Sequence, residues 1–273
     1  MGSEQQYVDL LYRATKKFAS WDPEVPVEVG DWGRFTTGRP RWAFWRAKRC
    51  LFVKEGNIYK DKIAEKYEIP EPRVIGEDSS DGLTWFTSPN VRDIDAESQT
   101  PLLPECDLKA GFQFSSDGGA VLVMAHDSLT TIDPASSLRR LLEVDTLRDR
   151  VLVSETHHCA SYARYLASPR TGNVVIGLTA QPPPGAPSAQ AEFKWVHSAI
   201  KGDFKSKADG TGERRCCPLY KIVSLKGAGQ GGRRGSVDDE MPLPLPDAVP
   251  PWMAGNVPIG GSDDKKVSEF SKR

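Results

Sequence analysis

Ser137-Leu138-Arg139-Arg140-Leu141-Leu142, followed after a short polar link by Asp149-Arg150-Val151-Leu152-Val153-Ser154-Glu155-Thr156, is the passage on which the fold reading turns. Asp133-Pro134 supplies an N-cap and a first-turn proline, and Leu138, Leu141, Leu142 and Leu147 follow at spacings that suit a helix. From Val151 the composition becomes strand-like. A helix feeding straight into a strand predicts an α+β protein, a twisted antiparallel β-sheet flanked by helices.

Downstream of this passage the chain reads as a β-meander. Val174, Ile176 and Leu178 alternate, as does Glu192-Phe193-Lys194-Trp195, and the run from Pro218 to Leu225 closes the fold. Upstream, Leu83–Phe86 and Gly111–Phe114 predict short strands, and Ala120–Ala125 a buried one. The alternation of Val25, Val27 and Val29 predicts another strand, and Lys60–Tyr67 a short polar helix. Residues 4–19 predict an N-terminal helix with Tyr7, Leu11, Ala14 and Phe18 on one face and Arg13, Lys16 and Lys17 elsewhere. Beyond Lys226 the composition turns to Gly, Pro, Ser and charge. A body over residues 4–226 with a flexible or loosely docked tail over 227–273 is therefore expected.

A formal net charge of -1 over 273 residues gives no global field that would draw the chain to nucleic acid, so an electrostatic partner must meet a local patch. Five cysteines, odd in number and without metal-ligand spacing, read as reduced thiols, with Cys216-Cys217 an ordinary strand pair. The N-terminus lacks the pattern of a signal peptide, and no apolar run approaches the roughly 18–20 residues of a spanning helix. Gly227-Ala228-Gly229-Gln230-Gly231-Gly232 resembles a phosphate loop in composition but precedes no helix. His157-His158-Cys159 alternates across a strand without accompanying ligands. No nucleophile elbow or catalytic carboxylate frame is present. The expectation is a protein that is not an enzyme and needs no cofactor or metal.

What stands out is basic and aromatic character near the N-terminus. Arg34, Arg39, Arg41, Arg46, Lys48 and Arg49 occur with no acidic residue among them, interleaved with Trp42, Phe44 and Trp45. Such a segment suits an anionic membrane surface, where Lys and Arg are attracted and tryptophan prefers the headgroup boundary. Taken alone, it better suits aromatic side chains packed in a core with solvated arginines.

The order of elements resembles the pore-forming N-terminal domain of gasdermins, and in particular the short fungal gasdermin-like regulators of cell death. The order runs from basic helix through Val25-Pro26-Val27, a basic hairpin, a polar strand region and the quoted helix-to-strand passage to the closing Pro218-Leu219-Tyr220-Lys221-Ile222. The run Leu152-Val153-Ser154-Glu155-Thr156 is similar to that family's "VVTE" strand. The resemblance implies a pore-forming effector of regulated cell death that binds acidic phospholipid and oligomerises into a β-barrel, in allorecognition or innate immunity. It implies lipid contact by Arg13, Lys16 and Lys17 on the helix and by Arg41, Arg46, Lys48 and Arg49 on the hairpin. Trp42, Phe44 or Trp45 would be the inserting tip. Residues 73–125 and 156–205 would refold into membrane-spanning hairpins.

Animal gasdermins carry a folded repressor domain after a cleavable linker, and the about 47 residues that follow Lys226 are expected to be too few for one. Control would fall to a docked tail removed by an activating protease, or to a homo- or hetero-oligomer with a related variant subunit while the tail is inert. The second is preferred. The location implied is cytoplasmic when inactive and the inner leaflet of the plasma membrane when active. The competing expectation is a soluble β-rich adaptor or peripheral lipid-binding module that never inserts.

Overall fold

A computed structural model of the chain describes residues 2–36, 51–75, 82–96, 106, 108–181, 192–226 and 243–253. Its elements are mostly antiparallel strands with few helices, gathered into three sheets where a single one was expected.

The first sheet is built on β10 (Val151–Cys159) and β15 (Cys216–Ser224). The order is β1-β15-β10-β2-β3, where β1 is Phe18–Ala19, β2 Asp31–Thr36 and β3 Leu51–Asn57. β9 (Ser128–Thr131) also pairs with β10 and with β4 (Arg73–Ile75). Alternation along β10 sends Val151 and Val153 to one side and Leu152 to the other. Leu152 packs with Leu138, Leu141 and Leu147, which come from 3-10 helices Ala135–Glu143 and Asp145–Leu147. The predicted helix is thus present in its tighter 3-10 form. The short helix α2 (Ile63–Lys66) joins the same cluster through Ala64.

The expected strand at Val25–Val29 is absent. Pro23 and Pro26 carry no amide hydrogen to donate to a ladder, and pairing begins only at Asp31. Nor do residues 150–226 form a simple meander, since only β10 and β15 stay in the first sheet.

The other two sheets have four strands each, in the orders β14-β11-β8-β5 and β13-β12-β7-β6. The strands are β5 Leu83–Thr87, β6 Val91–Ile94, β7 Leu108–Phe114, β8 Gly119–Ala125, β11 Ser161–Ala167, β12 Asn173–Gln181, β13 Glu192–His197 and β14 Asp203–Lys207. Consecutive strands occupy matching places in the two sheets. Each of four chain segments therefore runs through one sheet, turns and returns through the other. The two sheets pack face to face over Phe112, Phe114, Val121, Val123, Ala163, Tyr165, Val174 and Ile176. Phe112 is wholly buried there, edge-on to Trp85 with ring centroids 6.2 Å apart. Phe112→Ala is expected to lower stability by about 3–5 kcal/mol, read from the midpoint of urea unfolding.

Helix α1 (Ser3–Thr15) is wedged between these layers. Tyr7 and Leu11 pack on Leu122, Met124 and Tyr162, while Val8 and Tyr12 pack on Phe18, Val151, Val153 and Ile222. Ala14 is exposed and Phe18 lies on β1, because the helix stops sooner than the spacing predicted. Lys16 takes a left-handed conformation (φ 59°) with its N–H bonded to the Tyr12 carbonyl. Part of the tail expected to be loose is packed on this body. Leu245 and Ala248 are buried, and backbone hydrogen bonds run from Ser224 to Pro246 and from Ala248 to Ile222.

Candidate functional site

The structure separates the three cations predicted on α1. Arg13 is exposed, with its Nε 2.9 Å from Asp9 one helical turn earlier. Lys16 is exposed at the helix end, its Nζ 5.7 Å from the centre of the Tyr12 ring. Lys17 turns inward: its side chain is 19% exposed, and its Nζ lies 2.9 Å from Glu155 Oε2. The same ammonium is 2.9 Å from His157 Nε2.

Arg41, Trp42, Phe44, Trp45, Arg46, Lys48 and Arg49 lie outside the described residues. The hairpin that would carry them is described at its base, where β2 pairs with β3 and Phe35 faces Phe52. That base is joined to the end of α1 by aromatic packing. Tyr12 and Phe18 have centroids 5.1 Å apart, and Phe18 stacks on Phe35 at 5.3 Å. An apolar groove of about 700 Å³ opens beside them, lined by Phe18, Phe35, Phe52, Tyr220 and Trp252. The end of α1 and the foot of the basic hairpin therefore share one region.

Sequence reasoning missed the polar cluster around Lys17, although it noted the histidines. His157 is 6% exposed on β10, with Phe86 edge-on at 5.3 Å. Its Nδ1 is 3.5 Å from Asp127 Oδ2, and Thr84 donates to the other carboxylate oxygen at 2.7 Å. Burial by itself would raise the Asp127 carboxyl, but favourable interactions led by the hydrogen bonds from His157 and Thr84 together outweigh it and hold the group below the usual range. Glu155 also lies 3.6 Å from Lys221, which reaches Asp247 of the docked tail at 3.5 Å. Alternation of period two would have placed Glu155 and His157 on one face of β10. Nothing in the sequence places Lys17 or Asp127 beside them.

A second cluster ties α1 to the paired sheets. Arg164 on β11 is 4% exposed, ion-paired with Asp203 at 3.0 Å, and its guanidinium lies 3.4 Å from the centre of the Trp21 ring. Tyr7 of α1 is 5.8 Å away on the same cation, and burial pushes its hydroxyl well above the ordinary range. Burial likewise raises the thiols of Cys159, Cys216 and Cys217, which suits unreactive core residues.

The corner where the sheets fold over completes the geometry. Gln113 pairs with Asn173 in one sheet and Gly119 with Ala167 in the other. Six residues separate the first members of these pairs and six the second, so both ladders share one register. The register is kept through the corner itself. The Phe114 N–H bonds the Gly172 carbonyl and the Arg170 N–H bonds the Ser116 carbonyl, both at 3.0 Å. Segments 108–125 and 161–181 thus form one two-stranded ladder doubled back on itself. The doubling is made by left-handed residues, Gly118 (φ 80°), Arg170 (φ 64°) and Gly172 (φ 78°).

Among the described residues no three His, Cys, Asp or Glu side chains are grouped to hold a metal. No described helix is long and apolar enough to cross a membrane, which does not bear on crossing by strands. No protein-family model matches the chain, and no curated protein sequence matches it.

Proposed function

We infer that this chain is a gasdermin-like membrane-permeabilising protein, which binds acidic lipid and inserts by opening its doubled ladder into one long ribbon. The observation that carries this reading is the register kept through the corner. Unfolding the corner lengthens the central strands without re-pairing them. β7 and β8 contribute 7 residues each, and β11 and β12 contribute 7 and 9. Flanking them, β5 with β6 adds 5 and 4, and β13 with β14 adds 6 and 5. Every joined strand reaches the about 9–11 residues that span a bilayer.

Strict alternation along an opened ribbon places even-numbered residues on one face. Most are apolar, among them Phe112, Phe114, Leu122, Met124, Val174 and Ile176, while Arg164 and Arg170 are the charged residues of that face. The odd-numbered face mixes Val121, Val123 and Val175 with Lys109, Gln113, Asp117, Thr171 and Asn173, as a water-filled lumen requires. In the folded form the even-numbered set is divided: Phe112 and Ile176 lie between the two sheets, and Leu122 and Met124 lie beneath α1. Insertion therefore requires α1 to leave its seat. Four strands leave two unpaired edges, so a closed barrel requires many copies of the chain. Arg13 and Lys16 at the end of α1, with the basic hairpin, supply the attraction to acidic lipid.

The test is dye release from vesicles of phosphatidylcholine with and without phosphatidylserine, with imaging of the bound protein. Release and ring-shaped assemblies on the acidic vesicles are expected. Binding without leakage would return the protein to the class of peripheral modules.

A further inference from the structure

The geometry points to His157 as a proton-operated latch for Lys17: protonation of the imidazole expels the lysine from its buried seat and adds a cation to the face that meets anionic lipid. The lipid part of this statement rests on the function proposed above. The latch itself does not.

The hydrogen-bond pattern assigns the resting state. An ammonium has only donors, so Lys17 Nζ at 2.9 Å from His157 Nε2 requires a lone pair on that nitrogen. The ring proton then sits on Nδ1, directed at Asp127 Oδ2 at 3.5 Å. A second proton has only Nε2 to bind, and there it points head-on at the ammonium. Two cations in contact, one side chain 8% exposed and the other 19%, repel strongly because little water screens them.

Lys17 is the partner free to leave. His157 is fixed in mid-strand, opposite Leu219 on β15 and Leu129 on β9, with Phe86 against its ring and Asp127 on its far nitrogen. Lys17 sits in the turn between α1 and β1, and its flexible stem already reaches solvent. Its departure does not strand Glu155, since Lys221 lies 3.6 Å from the other carboxylate oxygen. The charged and titratable groups around the ring all act in this arrangement. Asp127, beyond β8, favours the imidazolium, and Lys17 opposes it. Glu155 attracts whichever cation is nearer. His158 on the same strand contributes repulsion, is itself held low by burial, and feels Glu28. β5 presents only the Thr84 hydroxyl and the Phe86 ring.

An anionic leaflet concentrates protons at its surface as well as attracting lysine, so approach to such a membrane drives both steps in one direction.

The experiment is a titration of the full chain, isotope-labelled, from pH 8 to 5. The His157 ring and Lys17 ε-methylene signals are followed by NMR, and binding to phosphatidylserine vesicles is measured by sedimentation. Lys17 is expected to shift with the same midpoint as His157. In His157→Gln, whose amide oxygen accepts from Lys17 without titrating, the Lys17 signal is expected to stay still. One released cation should strengthen binding at pH 5.5 about fivefold over His157→Gln. Lys17→Gln should remove the same gain while His157 still titrates. A Lys17 signal that stays still in the natural protein while His157 titrates would overturn the latch, as would one that moves equally in His157→Gln. Coupled titration with no vesicle binding by any form would uphold the latch and overturn the lipid reading alone.

Discussion

Joining residues 91 and 119 by a disulfide, in Val91→Cys/Gly119→Cys, is expected to abolish dye release from acidic vesicles, and a reducing agent to restore it. Val91 lies on β6 and Gly119 opens β8, on opposite sheets beside the corner. A Cβ placed on Gly119 would lie 2.5 Å from Val91 Cγ2, so two cysteines here meet within the reach of a disulfide. Removing the Val91 methyl relieves the tightest contact of the new Cβ, and the Ser88 hydroxyl, 2.9 Å from it, has to shift as well. In an opened ribbon that keeps the β6–β7 register, Gly119 lies five residues beyond Phe114, the partner of Val91. That is about 16 Å at 3.3 Å per residue, far outside disulfide range. Release should fall to that of vesicles alone in the oxidised form. Each single substitution controls for the cysteine itself. An oxidised protein that releases dye at the reduced rate would remove ribbon opening from the mechanism.

Ending the chain at residue 242 is expected to cost about 3–5 kcal/mol of stability and to speed release. The removed segment buries Leu245 and Ala248 and covers the edge of β15 with two backbone hydrogen bonds. It also supplies the Ala248 carbonyl to the Tyr12 hydroxyl at 2.9 Å and brings the Trp252 indole 3.4 Å from Asp9. Both contacts hold α1, the element that shields Leu122 and Met124. Losing the first removes one hydrogen bond, worth about 0.5–1.5 kcal/mol. The measurement is the urea midpoint of the shortened chain together with its initial rate of dye release. An unchanged midpoint would mean the segment contributes nothing, as the preference for an inert tail held.

Much of the strand content was legible because burial imposes a pattern. Ala120–Ala125 is apolar on both faces, and the structure covers it on one side with the partner sheet and on the other with α1. Gly111–Phe114 and Glu192–Trp195 alternate and are strands. Val25–Val29 alternates equally well and is not, because Pro26 has no amide hydrogen to donate to a ladder and pairing starts beyond it, at Asp31. The candidate site was less legible. Helical spacing placed Arg13, Lys16 and Lys17 together, yet a left-handed turn at Lys16 sends Lys17 to a strand far away in sequence.

By itself the sequence determined several of the strands, among them Ala120–Ala125 and Val151–Thr156, and that cations gather near the first helix. These are local properties, set by side-chain chemistry at periods of two and 3.6. Only the tertiary structure decided that four segments double back into two sheets in a common order, that the tail seals an edge, and that one lysine is held by a histidine. Those outcomes depend on pairings between residues distant in sequence, and no local period encodes which partner a strand edge or a buried charge will find.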